Sequence, residues 1–235
     1  MPLHLRETVI HIVTLSFDDG FRGSCLKVAE IYERFGLRGC MIVLAAPDEL
    51  VGEQHQWGTD RGDFGLWNEL QARGHEIMPH GHNHANKREL PFEKAKESIL
   101  RCLDILEARL EGFNRGQAVF NFPYNQSTPE LEAWLPTVVR AYRTSGGGIN
   151  SLPYPGMTKI TTTGAGPDNC EWHLNDEIEL LMTRPEGWLV YNTHGLDDEG
   201  WGPIRSGYLA KLLERLVASG VQVLPAGVAL TEAVL

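Results

Sequence analysis

Short apolar runs alternate with longer amphipathic segments along most of the chain. The runs are rich in β-branched residues and bounded by turn residues, which predicts buried strands. They lie at residues 9–17, 39–45, 75–80, 118–122, 141–145, 157–162, 188–194 and 221–226. Between them, apolar side chains recur at three- and four-residue steps and predict helices at 24–35, 63–73, 91–110, 129–139, 176–184 and 207–219. Ser24 is the expected N-cap of the first helix.

This alternation runs through the chain without an internal repeat, a low-complexity tract or a linker. It predicts an α/β fold with a parallel sheet, either a barrel or a doubly wound sheet. A chain of 235 residues is long enough for one such domain, so we expect a single domain over residues 1–235. In both folds the chemistry collects at the carboxyl ends of the strands.

Composition narrows the range of partners. Acidic residues outnumber basic ones by 31 to 21, and the net charge of −10 disfavours nucleic acid and anionic membranes. No apolar run reaches the length of about 18 residues that a membrane span needs. Cys25, Cys40, Cys102 and Cys170 form no C-x-x-C pair and are expected to be free, buried thiols. With no leader-like pattern at its N-terminus, the chain is expected to be cytoplasmic.

Polar and ionisable residues follow several of the predicted strands, at residues 18–20, 80–84, 121–124 and 193–195. His80 and His84 are four residues apart, so one helical turn would place both imidazoles on one side. Two imidazoles and the carboxylate of Asp19 suit zinc, and also nickel, cobalt or iron. Three protein ligands leave one position open, as in catalytic sites. Asp18 is then available as a general base and His194 as a general acid, which suffices for amide or ester hydrolysis.

Each of these features alone also has a structural interpretation. An Asp-Asp-Gly sequence after a strand is often only a turn, and a lone histidine such as His194 is more often structural. Three histidines within five residues are harder to explain without a metal. The remaining histidines are expected to be structural or solvated: His4, His11, His55, His75 and His173.

At these positions the chain resembles the polysaccharide deacetylase family, carbohydrate esterase family four. The family's T-F-D-D-G motif is similar to residues 16–20, and its H-[ST]-x-x-H motif to residues 80–84, with Gly81 in the hydroxyl position. The resemblance implies a distorted parallel (β/α) barrel of seven or eight strands in a single domain. It also implies that Asp18 is the catalytic base and that Asp19, His80 and His84 bind a divalent metal.

The family's third motif, R-x-P-Y, corresponds to residues 121–124. Pro123 and Tyr124 are kept, and by resemblance the backbone N–H of Tyr124 helps to stabilise the oxyanion. The position of the arginine, which holds the base aspartate in the family, is taken by Asn121. Asparagine is neutral and cannot form a bidentate ion pair. Arg143, at the end of the next strand, is a candidate source of the missing charge.

The last two motifs match less closely. Asp168 and Trp172 lie in the region of the fourth, which usually supplies an aspartate and a tryptophan near the base. The fifth, a histidine after an apolar strand, corresponds to residues 189–194, and by resemblance His194 protonates the leaving group. Trp201 follows on the next loop and is a candidate for stacking on a sugar ring, although a packed surface tryptophan is an equal alternative.

The resemblance implies a metal-dependent hydrolase that removes an acetyl or other acyl group from a carbohydrate. A small N-acetyl sugar or acylated metabolite suits the expected location better than a wall polymer. One alternative is an amidase that opens a cyclic amide. Another is a metal-binding or sugar-binding protein that has lost catalysis, since the third motif is altered. The oligomeric state and the identity of the metal are left open.

Overall fold

The structure, a computed structural model, describes residues 10–51 and 60–232. Its strands are β1 (His11–Phe17), β2 (Cys40–Val43), β3 (Glu76–Pro79), β4 (Val119–Asn121), β5 (Ala141–Ser145), β6 (Ile149–Asn150), β7 (Lys159–Thr162), β8 (Gly187–Thr193) and β9 (Gln222–Val223). Its helices are α1 (Arg22–Glu33), α2 (Phe64–Ala72), α3 (Phe92–Arg109), α4 (Pro129–Trp134), α5 (Cys170–Met182), α6 (Ser206–Ala218) and α7 (Ala226–Glu232).

The strands form two hydrogen-bonded sheets. The larger has the order β3-β2-β1-β8-β6, with β9 also paired to β1, and the smaller has the order β4-β5-β7. All pairings are parallel except that of β6 with β8. The predicted α/β fold with a parallel sheet is therefore confirmed.

The ladder of hydrogen bonds does not close into the expected barrel within the described residues. No strand pairing joins β3 to β4. On the other side the two sheets are joined by the bridge between Thr163 and Tyr191 and by the Asn150 amide, which bonds the backbone of Thr161. Side chains span the first gap, where Asn121 Nδ2 lies 3.4 Å from the carbonyl oxygen of Pro79. The described strands number nine rather than seven or eight, since the short β6 adds an antiparallel edge and β9 a further pairing.

Alternation along the strands gives the sheets an apolar outer face and a mixed inner face. Val13, Leu15 and Phe17 of β1 belong to the large core formed with the helices. Ile12 of β1 joins a second cluster with Trp188 of β8 and residues of β4, β5, β7 and α7. The inner face is thus apolar at the amino ends of the strands. It becomes polar toward their carboxyl ends, which is where the site lies.

Several element boundaries differ from the sequence-based expectation. Helix α5 begins at Cys170 rather than 176, because its buried stripe of Cys170, Leu174, Ile178 and Leu181 starts directly after the turn. The last predicted strand stops at Val223, and helix α7 follows Pro225.

Ser24 is not the N-cap of α1, which begins at Arg22 after Phe21. The backbone N–H and the hydroxyl of Ser24 both donate to Glu199 Oε2 at 2.6 Å. A carboxylate from the loop after β8 therefore satisfies the first turn of α1. This contact also fixes that loop over the carboxyl end of the sheet.

Candidate metal centre and catalytic site

The polar strand ends converge on one cavity of about 420 Å³. The residues that line it are Asp18, His80, His84, Tyr124, Asn125, Gln126, Gly164, Asn192, His194 and Trp201. A larger cavity of about 590 Å³ lies beside α2 and contains none of the residues proposed for catalysis or metal binding. The smaller cavity is the candidate site, because ionisable groups from several strands meet only there among the described residues.

Asp19, His80 and His84 form a buried cluster beside this cavity. Each offers a ligand atom, and these atoms lie within 4.8 Å of one another. Nε2 of His80 and Nε2 of His84 lie 3.4 and 3.2 Å from Asp19 Oδ1. Asp19 Oδ1 is nevertheless buried without a hydrogen-bond partner among the described residues. Two imidazole nitrogens that face one unsatisfied carboxylate oxygen are the donor set a divalent cation requires.

The surroundings of His80 suit metal binding as well. Its Nδ1 lies 3.0 Å from the backbone oxygen of Asn121, a hydrogen bond that fixes the tautomer and leaves Nε2 free as a ligand. His84 Nδ1 is buried and has no partner among the described residues. Burial by itself would raise the pKa of Asp19, but the two imidazoles beside it hold that pKa well below its ordinary value. The residues therefore fit a metal ion, with Asp19 as the ionised ligand.

Asp18 is held by Arg143. Both side chains are 2% exposed, and the guanidinium grips the carboxylate with two nitrogens, Nη1 to Oδ1 at 3.0 Å and Nη2 to Oδ2. Ser16 completes the group by donating its hydroxyl to Asp18 Oδ1 at 3.1 Å. The missing charge of the third motif is thus supplied from the position that the sequence had suggested.

The geometry of the small sheet explains how Arg143 takes the place of the third-motif arginine, whose position is occupied by Asn121. Asn121 of β4 and Arg143 of β5 are register partners on adjacent parallel strands. The Asn121 amide does not reach Asp18 and donates instead to the Val119 carbonyl at 2.8 Å. The long side chain of Arg143 on the neighbouring strand therefore reaches Asp18, whereas the amide of Asn121 bonds its own strand.

The ion pair sets the charge of Asp18. Burial would raise the pKa of this carboxyl, but Arg143, together with His80 and His194 nearby, lowers it below its ordinary value. A carboxylate that is buried yet ionised at neutral pH is available to accept a proton.

Backbone strain is concentrated at the site. Among the described non-glycine residues, positive φ occurs at Asp19 (74°), His84 (61°), Tyr124 (57°) and Asn125 (53°), and otherwise only at Asp168 and Asp197. Such conformations cost free energy and persist where the surrounding structure enforces them, commonly at functional sites. Four of these six residues, namely Asp19, His84, Tyr124 and Asn125, lie in or beside the candidate cavity.

The fifth motif contributes His194 and the loop after it. The rings of His194 and Trp201 meet edge to face with centroids 5.4 Å apart, and both line the cavity. His194 Nδ1 is buried and has no hydrogen-bond partner among the described residues. The loose match to the fourth motif does not hold structurally, because Asp168 and Trp172 are exposed and do not line the cavity. The tryptophan beside the histidine is Trp201 instead.

The other histidines lie away from the cluster. His11 contacts the Arg184 carbonyl, His75 accepts from the Gly39 N–H, and His173 contacts the Tyr191 hydroxyl. These contacts agree with the expected structural roles. His4 and His55 lie outside the described residues. All four cysteines are free and buried, as expected.

Sequence reasoning missed Asn125, Gln126, Gly164 and Asn192 as cavity-lining residues. For Asn192 a signal was present: it precedes His194 by two residues, so the alternation of the strand places both side chains on the same face. An amide on the inner face of an apolar strand is the feature that would have marked it.

Comparison with known proteins identifies a family to which the chain is similar. The family model described as polysaccharide deacetylase matches residues 6–150. A search of curated proteins finds no match.

No helix in the described part of the chain is long and apolar enough to cross a membrane.

Several solved structures share the fold. A peptidoglycan deacetylase, PdaC from Bacillus subtilis, aligns at 14% identity and a TM-score of 0.58, with 93% of this chain and 89% of that chain covered. A family 4 carbohydrate esterase from Streptomyces lividans, in complex with acetate, aligns at 17% identity and a TM-score of 0.57, with coverage of 90% and 91%. A family 4 pseudoenzyme from Bacillus anthracis aligns at 14% identity and a TM-score of 0.61, with coverage of 94% and 66%. At these identities the similarity concerns the fold, which occurs with and without catalysis.

Proposed function

The chain belongs to the polysaccharide deacetylase family, and we propose that it is a metal-dependent hydrolase that removes acyl groups from an N- or O-acylated carbohydrate. The observation that carries this proposal is the buried cluster of Asp19, His80 and His84 beside an ionised Asp18. A buried carboxylate that stays ionised beside a metal site is suited to accept a proton. The bidentate contact of Arg143 therefore favours catalysis over a binding role.

The metal that we propose is zinc, with nickel, cobalt or iron as alternatives that the same ligands accept. Asp19, His80 and His84 would hold it. When bound, such an ion supplies Lewis-acid polarisation of the acyl oxygen and lowers the pKa of water. The hydrogen bond from His80 to the Asn121 carbonyl keeps one ligand aligned before the ion arrives.

Asp18 acts as the general base in this proposal. It accepts a proton from the attacking water, while Arg143 donates to both of its oxygens and Ser16 donates to Oδ1. The positively charged guanidinium keeps Asp18 ionised between turnovers. Arg143 is therefore a positioning residue, which acts through Asp18 and not on the substrate.

The remaining groups act on the tetrahedral intermediate. The backbone N–H of Tyr124 donates to the developing oxyanion, the kind of interaction that contributes most to such reactions. His194 donates a proton to the leaving amine or alcohol. Pro123 shapes the turn that presents Tyr124, and Trp201 offers a ring face to the sugar, since it is 38% exposed at the edge of the cavity.

Acyl release by the zinc-reconstituted protein tests the proposal. The substrates are chitooligosaccharides, acetylated xylan, peptidoglycan fragments, monomeric N-acetyl sugars and a cyclic amide of the allantoin type. We expect turnover of an acylated sugar that Asp18→Asn abolishes while the metal content stays the same. Turnover of the cyclic amide alone would favour the amidase alternative. A fully metal-loaded protein that hydrolyses none of them would favour a family member without catalysis.

A further inference from the structure

The candidate cavity contains no aliphatic side chain among the described residues that line it. An acetyl group presents a methyl to its binding site, and an apolar surface is the usual complement of a methyl. Here the catalytic groups share the lining with the rings of Tyr124 and Trp201 and with the amides of Asn125, Gln126 and Asn192. The lining therefore offers an acyl group hydrogen-bonding amides as well as ring faces.

Asn192 lies deep in this cavity. It is 5% exposed and lies near the carboxyl end of β8, two residues before His194, which follows the strand. Its Oδ1 accepts hydrogen bonds from Asn125 Nδ2 at 3.0 Å and from Thr162 Oγ1 at 3.4 Å, whereas its Nδ2 donates none to a described residue. Gly164 makes this packing possible, since a Cβ there would lie 2.6 Å from the Asn192 carbonyl oxygen.

Asn125 contributes the other half of the pair. It follows Tyr124 in the left-handed turn after β4, with φ of 53°. Its Oδ1 is buried and has no partner among the described residues. The two amides together therefore present one unpaired acceptor and one unpaired donor. A buried acceptor is rarely left unpaired, so Asn125 Oδ1 is a place for a donor from a ligand, with the free Asn192 amide N–H beside it.

Exposure shows which part of a substrate meets this pair. Asp18 and Asp19 are 2% and 3% exposed and lie at the buried end of the site. Tyr124 and Trp201 are 45% and 38% exposed and mark its mouth. An N-acylated amino sugar would place its sugar ring toward the mouth and its smaller acyl group inward. Asn192, at 5% exposed, lies toward the buried end and Asn125 is half-buried beside it, so the pair lies on the acyl side of the cavity.

Building on the proposed function, we propose that the Asn125–Asn192 pair selects acyl groups with a hydroxyl on the carbon next to the carbonyl, such as glycolyl amides, over plain acetyl amides. One hydroxyl both donates and accepts a hydrogen bond, so it pairs with Asn125 Oδ1 and Asn192 Nδ2 together. A methyl in the same place leaves both amide atoms unpaired. Sites built to hydrogen-bond a substrate hydroxyl discriminate strongly against an analogue that lacks it.

Calorimetric binding of small hydroxamates to the zinc-reconstituted protein tests this inference without requiring turnover. We expect glycolohydroxamate to bind wild-type protein about tenfold more tightly than acetohydroxamate, since each added hydrogen bond contributes about two- to tenfold. Asn192→Leu, which keeps the branched shape and removes both the donor and the acceptor of the amide, should abolish or reverse that preference. The matched variant Asn175→Leu, on α5 where the amide bonds Arg215 at the surface, should retain it.

The same comparison extends to turnover, with kcat/KM for N-glycolylglucosamine and N-acetylglucosamine as the readout. Equal or weaker binding of glycolohydroxamate by the wild type would overturn the inference, as would an unchanged preference in Asn192→Leu. Either result is compatible with the proposed function, provided that an acyl sugar is hydrolysed. If neither hydroxamate binds the zinc-loaded protein, the proposed function is contradicted and the inference falls with it.

Discussion

Arg143→Met tests most sharply whether Asp18 is a general base that Arg143 holds in place or a carboxylate without a catalytic role. It removes both nitrogens that grip Asp18 and leaves an unpaired carboxylate with only 2% of its side chain exposed. Breaking a buried ion pair in this way costs about 3–5 kcal/mol of stability. Because burial already favours the protonated form of Asp18, removal of the guanidinium raises the pKa of that carboxyl. The base is then protonated over part of the working pH range.

The assay is the pH dependence of kcat/KM for whichever acyl sugar the protein hydrolyses, with unfolding curves measured in parallel. We expect the acid limb of the profile to move to higher pH, and kcat/KM at pH 6 to fall about 100-fold or more, since a general base contributes roughly 10²–10⁴-fold. Asp18→Asn in the Arg143→Met background should recover stability but not activity. An acid limb and a stability that Arg143→Met leaves unchanged would refute the reasoning.

Two further variants serve as controls for Arg143. Arg73 also grips a carboxylate with two nitrogens, 2.9 and 3.1 Å from the oxygens of Glu33, but at the surface. Arg73→Met should cost only about 0–1 kcal/mol and leave the pH profile as it is. The exchange Asn121→Arg with Arg143→Asn moves the charge to the neighbouring strand. It should restore part of the activity that Arg143→Met loses.

Three other predictions concern stability, proton donation and sugar binding. Lys87 is fully buried, and burial lowers its pKa from 10.5 to about 8. The unfolded chain therefore binds more protons than the native one between those values, and stability rises with pH across that window. Lys87→Met should increase the unfolding free energy at pH 7 by up to about 3 kcal/mol and flatten this rise, whereas Lys94→Met at the surface should do neither. His194→Ala should reduce kcat/KM for amides about 10²–10⁴-fold but far less for an aryl ester whose leaving group needs no proton. Trp201→Ala should raise KM for a disaccharide about three- to tenfold with kcat retained, in steady-state assays.

The sequence predicted the parts of the fold that depend on local pattern. Apolar runs rich in β-branched residues predicted β1 and β8, and a clear stripe of residues at helical spacing predicted α3. It did not predict the two-residue strand β6, whose pairing with β8 depends on a long-range contact between Ile149 and Leu189. Nor did it predict that the strands stop short of a closed barrel, because closure depends on the register of distant strands.

Some residues of the candidate site could likewise be recognised from the sequence, whereas others depend on contacts between distant segments. His80 and His84 were recognisable because histidines at short spacing suggest a metal, and Asp19 because it follows a predicted strand whose end lies at the same edge of the sheet. Arg143 could be suggested from its position at a strand end, but only the register of β4 and β5 brings its guanidinium to Asp18. The Asn125–Asn192 pair could not be predicted as a unit, since the two residues are 67 positions apart and meet through a turn of positive φ.

The central claim is that Asp19, His80 and His84 hold one divalent ion. Its most direct test is the metal content of the protein, measured by elemental analysis after zinc reconstitution and dialysis. We predict about one ion per chain in the wild type and in Asp18→Asn, and a loss of about 10-fold or more in affinity in His80→Ala and in His84→Ala. Wild-type protein that retains no metal, or histidine variants that retain as much as the wild type, would contradict the account.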